Sequence, residues 1–181
     1  MGGSSRLAAA AVVIALAVTA CSSDGGSSPA TSQTPSSVVA AGELPMIDAI
    51  GVAMKALDAK LGGPQQYFEV NATSQLVNLF VSLDNGSVAQ PWVYLDGALS
   101  STEGQPASGG TFAAASVDFD PKVVLAPLLT QMPGITIESF YIHGDGQGNV
   151  LYGVLAQSAK GGGLDIVVGA DGAVKSVDPV N

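Results

Sequence analysis

The run Asp96-Gly97-Ala98-Leu99 returns 75 positions later as Asp171-Gly172-Ala173-Val174. An apolar-periodic segment opening at Met46 has a counterpart opening at Pro121, at the same offset. This constrains the fold more than any other feature of the chain. Each half reads as a helix followed by several short strands, so the body should consist of two units of one plan. Ser100 and Ser176 fall one step out of that register. Duplication is one account of the match; coincidence between two generic helix-plus-meander units is the other.

The first unit, 45–110, begins with a helix over Met46 to Leu61. Ile47, Ile50, Met54, Leu57 and Leu61 step by three and four residues and make one apolar stripe. Pro45 stands where a first-turn proline is tolerated, and Gly62-Gly63-Pro64 ends the run. Strands are expected over Tyr67 to Thr73, Leu76 to Leu83 and Val88 to Leu95, with a fourth beginning at Ala98. In the second of these, Val77, Leu79, Val81 and Leu83 should face the core. Asp84-Asn85-Gly86 is a tight-turn signal, and Pro91 argues for an edge or a bulge.

Ser100 to Gly110 reads as a loop. The second unit, 111–181, opens with a strand over Thr111 to Phe119. A second helix follows, with Asp120 as N-cap and Pro121 at its first position, running to Met132. Pro127 should kink that helix or confine it to about three turns. Strands are expected over Ile135 to His143, Val150 to Ser158, Leu164 to Val168 and Val174 to Val177. The expected class is α+β: two tandem helix-plus-antiparallel-meander units, seven or eight strands and two main helices, with the helices on one sheet face and a small packed core in each unit.

Ahead of this body lie two segments of different texture. Residues 1–20 carry one charged side chain, Arg6, followed by an uncharged run from Leu7 to Ala20. At about 14 residues that run is shorter than the roughly 20 a spanning helix needs, and it fits a signal-peptide core. Residues 21–44 begin with the chain's single cysteine, Cys21, and continue Ser-, Gly- and Pro-rich, the composition of a tether. A lone cysteine has no disulfide partner in an oxidising compartment. The alternative is an ordinary secretory signal cut after Ala20, with Cys21 a spectator.

The run Val18-Thr19-Ala20-Cys21 resembles the lipobox of bacterial lipoproteins, with Val18 standing where Leu is commoner. The resemblance implies export, cleavage between Ala20 and Cys21, and a diacylglyceryl group on the cysteine with a further acyl chain, palmitate for example, on the new amino terminus. At about 0.8 kcal/mol per buried CH2, two or more chains anchor stably where one does not. The body, from Pro45 to Pro179, resembles in plan the PepSY-type module of exported bacterial proteins and, as a tandem, the beta-lactamase inhibitor protein. The stretch Gly163 to Val174 carries that resemblance, which implies a non-catalytic binding or inhibitory module and assigns no contact residue.

Arg6 lies in the leader, which leaves five lysines against fifteen carboxylates in the exported chain. Nucleic acid is thereby excluded as a partner, since neutralising phosphates requires a basic surface. Electrostatic adhesion to anionic lipid heads is excluded on the same ground. The partners expected are the membrane, through lipid on Cys21, and an envelope protein or a lipid ligand.

Catalytic chemistry has little to work with. His143 is the single histidine, placed at a strand end before a Gly-rich turn, where it reads as a turn-flanking polar residue. No nucleophile elbow or S-x-x-K accompanies it. One histidine and one lipidated cysteine rule out the usual structural zinc site. Asp145 with Asn149, or Asp118 with Asp120, offer oxygens to calcium, but turn and capping roles explain them. Gly144-x-Gly146-x-Gly148 precedes a strand rather than a helix, so it is a hairpin and not a dinucleotide loop. Asn71-Ala72-Thr73 and Asn85-Gly86-Ser87 match a glycosylation pattern by chance. Adjacent aromatics such as Phe140 and Tyr141 must point to opposite sheet faces, which exposes aromatic surface.

No catalytic, cofactor-binding or metal-binding residue is therefore expected. The expected role is a non-enzymatic binding or envelope-maintenance lipoprotein on the outer face of the cytoplasmic membrane. A lipid or glycolipid carrier with an apolar cavity is the alternative, and a hydrolase the least expected.

Overall fold

The computed structural model describes residues 43–180. A 3-10 turn at Ile47–Ala49 leads into α1, Ile50–Leu61. Four main strands follow: β1 (Gln66–Ala72), β2 (Val77–Leu83), β3 (Val88–Leu95) and β4 (Ala98–Ser101). Two short strands, β5 (Gln105–Pro106) and β6 (Phe112–Ala113), lead to a 3-10 turn at Ala114–Ser116 and to α2, Ala126–Gln131. The chain closes with β7 (Thr136–Gly144), β8 (Val150–Gln157), β9 (Gly163–Val168) and β10 (Val174–Val180).

The strands form one antiparallel sheet in the order β10-β9-β8-β7-β1-β2-β3-β4, with β5 on β3 and β6 on β1. β1 and β7 pair at the centre, Val70 opposite Ile142 and Ala72 opposite Phe140. This corrects the expected architecture. Residues 43–180 form a single ten-stranded sheet over one core, not two units with a core each, and among the described residues only α1 is a helix of ordinary length. Pairing the leading strands is the physical reason: two separate sheets would each leave a long inner edge with unpaired N–H and C=O groups. The outer edges are managed otherwise, by four-residue β4 and by Pro179 in β10.

The second helix is six residues long rather than running from Asp120 to Met132. Pro127 has no N–H, and its ring collides with the carbonyl four residues back, so a helix can hold it only in its first turn. The helix accordingly starts at Ala126, one residue earlier, while 121–125 stay in turns. The strand expected over Thr111 to Phe119 is likewise only β6, followed by the 3-10 turn.

Alternation sets which strand residues enter the core. Val77, Leu79 and Val81 are fully buried, as are Val70, Ala72, Phe140, Ile142, Val154 and Ile166. Ile50, Ala53, Met54 and Leu57 of α1 pack onto them, and Val124, Leu125 and Leu128 complete the same cluster. α1 ends at Gly62, whose φ of 83° is left-handed backbone that favours glycine. Among the described residues no buried side-chain nitrogen or oxygen lacks a hydrogen-bond partner, and no helix is long and apolar enough to cross a membrane.

Candidate functional site

The strand residues that alternate with the core set share the opposite face of the sheet, and no described element covers it. Cross-strand register identifies its rows. One row runs Ser176, Val167, Gly153, Tyr141, Asn71, Asn78, Val93. The row on one side holds Leu151, His143, Glu69 and Phe80. The row on the other holds Asp178, Asp165, Leu155 and Ser139. A depression of about 560 Å3 lies among Glu69, Tyr141, His143, Leu155 and Asp165.

Polar side chains are linked across this face. Asn78 donates to Asn71 at 2.8 Å, and Asn71 donates to Glu69 at 2.5 Å. The other Glu69 oxygen meets His143 Nε2 at 2.9 Å. On the far side of His143, the Tyr141 hydroxyl donates to Asp165 at 2.6 Å, reaching over β8 to do so. The Tyr141 and His143 rings lie 5.0 Å apart, centre to centre. Leu151 and Leu155 flank this line at 49% and 38% exposure.

Electrostatics follow from the pairing. The Glu69 hydrogen bond is the largest influence on His143 and raises it above its ordinary value, against the opposing effect of burial. Burial by itself pushes the Glu69 carboxyl up, but hydrogen bonds from His143 and Asn71 outweigh it and hold the group below the usual carboxylate range. Burial first, then the Asp165 hydrogen bond and charge, push the Tyr141 phenol up, so it stays a neutral donor.

His143 thus lies within β7 and has a carboxylate partner, rather than merely flanking a turn. Glu69 went unnoticed in the sequence because it is 74 residues away. The only signal available was period-two alternation, which puts Glu69 and Asn71 opposite Val70 and Ala72. Phe140 and Tyr141 do point to opposite faces, the first into the core and the second onto the open face. Asp145 caps its own hairpin, accepting from the Gln147 and Asn149 backbone and from the Asn149 side chain. Asp120 accepts from the backbone of Lys122. No cluster of three metal-ligating side chains occurs among the described residues. Ala20 and Cys21 lie outside the described residues.

A second concavity, about 280 Å3, lies between α1 and the 114–121 segment. Ile50 and Met54 face Val117 and Phe119 across it, with Lys55 and Asp58 also in its wall.

No family model matches the chain, and no curated protein matches it. Among solved structures the chain is similar to one from Clostridium difficile 630 described as a "putative lipoprotein". The two are 13% identical, with 77% of this chain and 95% of that chain covered and a TM-score of 0.48. No residue of the site is transferred from that protein.

Proposed function

We propose that this chain is an exported lipoprotein, held on the outer face of the cytoplasmic membrane by lipid on Cys21, whose body is a non-enzymatic binding module. One observation carries the binding role. The sheet packs the centre of one face against the core and leaves the other as a broad surface with a hydrogen-bonded polar line between exposed leucines. A solvated sheet face needs none of that order, and mixed apolar and fixed polar groups are the composition of recognition surfaces. The lipobox-like Val18-Thr19-Ala20-Cys21 and the tether behind it support the anchored placement. The lipid-carrier alternative has less support, because Tyr67, Phe112, Phe140, Leu57 and Leu128 fill the space beside the sheet.

The test is site-specific photo-cross-linking of the full chain in a native-type envelope. A cross-linker at Leu155 should give a discrete protein adduct, and one at Val52 on the exposed side of α1 should give none. Adducts from Val52 alone, or lipid as the species captured at Leu155, would overturn the reading.

A further inference from the structure

We propose that the open sheet face receives a cationic segment of a protein partner, seating two basic side chains at carboxylates that lie three strands apart. This rests on the reading of that face as a binding surface and adds the chemistry of what it binds.

The charge on the face is one-sided. Register places Glu69 on β1, Asp165 on β9 and Asp178 on β10 there, and His143 is the one residue in those rows able to carry positive charge. Four of the lysines lie elsewhere, Lys55 and Lys60 on α1 and Lys122 and Lys160 in turns, and Lys175, at the irregularity in β10, reaches Gly169 and Asp171 at the end of the sheet rather than the aspartates. Glu69 has His143 beside it. Asp165 and Asp178 stand directly opposite each other across β9 and β10. Like charges so placed repel, and among the described residues no lysine pairs with either. The Tyr141 hydroxyl turned onto Asp165 supplies a dipole and no charge. A cation from outside would relieve that repulsion, and an acidic or neutral ligand would not.

Spacing narrows the partner further. From β1 to β9 is three interstrand steps, about 14 Å, and the Glu69 and Asp165 rows lie four residues apart along the strands, about 13 Å, so the two backbone positions are about 19 Å apart. Tyr141, Leu151 and Leu155 occupy the ground between. An extended segment with basic residues at positions i and i+6 spans about 20 Å, and its residues i+2 and i+4, on the same side, meet the leucines. Apolar residues fit there.

The probe is a capped peptide with two arginines six positions apart and leucines at the two positions between them that share their side. It is titrated against the full lipidated chain in phosphatidylcholine nanodiscs. Two counterparts replace both arginines by glutamate or by glutamine. The arginine peptide should bind. Its affinity should fall by about tenfold or more between about 0.01 M and about 1 M salt, where the screening length shrinks from about 30 Å to about 3 Å. It should fall comparably in E69Q/D165N/D178N, whose amides keep the shape and acceptor oxygens of the originals. The salt series needs no variant, so misfolding cannot imitate the result. Equal binding of arginine and glutamine peptides would overturn the cationic assignment and leave the binding face intact. Absence of binding by all three peptides, with no adduct from Leu155, would overturn both.

Discussion

Tyr141 lies across Gly153. A Cβ built on Gly153 would overlap the far end of the Tyr141 phenol, which crosses β8 at that point to reach Asp165. Gly153→Ala should therefore displace the ring and break its hydrogen bond to Asp165. The expected cost is about 1 kcal/mol, the net worth of one such bond. Tyr141→Phe should lose a similar amount without any overlap. Gly153→Ala placed in a Tyr141→Ala background should be nearly neutral. Urea unfolding of the four chains checks the cycle, and additive losses would show that the two residues are not coupled.

The His143–Glu69 pair should make stability depend on pH with a definite sign. His143 is raised above its ordinary 6.5, so its contribution is complete below that pH and lost as pH climbs through the folded value. Glu69 is lowered from 4.5, so its contribution is complete above that pH and lost as pH falls through the folded value. The pair is worth most between about pH 4.5 and 6.5. Because His143 is 48% exposed, the effect should stay below about 1 kcal/mol after solvent screening. Unfolding midpoints of the chain and of His143→Gln, compared across pH, should differ most inside that window and converge on the alkaline side.

The two faces of the fold should respond very differently to truncation. Phe140 is fully buried and packs against Phe119 and Tyr152, with ring centres 5.1 and 6.1 Å away. Phe140→Ala should cost about 3–5 kcal/mol. Val52 is 54% exposed on α1, and Val52→Ser should stay within about 0.5 kcal/mol of the parent. Thermal unfolding distinguishes the two cases directly.

Local order was legible where residues act on their own backbone. The apolar steps from Ile47 to Leu57, the alternation in Val77 to Val81 and the turn at Asp84-Asn85-Gly86 all appear where expected. Pro91 sits opposite the break where the neighbour of β3 changes from β4 to β5, which is the irregularity a proline in a strand demands. What the sequence did not disclose was decided by partners far away. The pairing of β1 with β7, which merges two expected units into one sheet, depends on edges that neither segment advertises. Pro127 is expected to kink α2 or confine it to about three turns, but its ring instead sets the helix start and leaves six residues. Glu69 and His143 each look like isolated surface residues until register sets them side by side.

The anchor makes its own prediction. If Cys21 carries the proposed diacylglyceryl group, Cys21→Ser removes the atom that accepts it, and two chains at about 0.8 kcal/mol per buried CH2 are what would hold the chain to a bilayer. The substituted chain should leave the membrane fraction and take up no radiolabelled fatty acid. Retention of label would place the modification elsewhere.

The most direct test of the open face as a binding surface uses the fact that His143 is the chain's single histidine. Histidine-selective acylation with diethyl pyrocarbonate reports on that face alone, and the imidazole is half-exposed. The rate should be measured on the full chain in intact envelopes and again on the same chain purified into nanodiscs. A binding module engaged in its native setting predicts markedly slower modification of His143 in the envelope, with the purified chain reacting at the rate of a half-exposed histidine. Equal rates in both settings would mean that nothing occupies the face, and would contradict the proposed function.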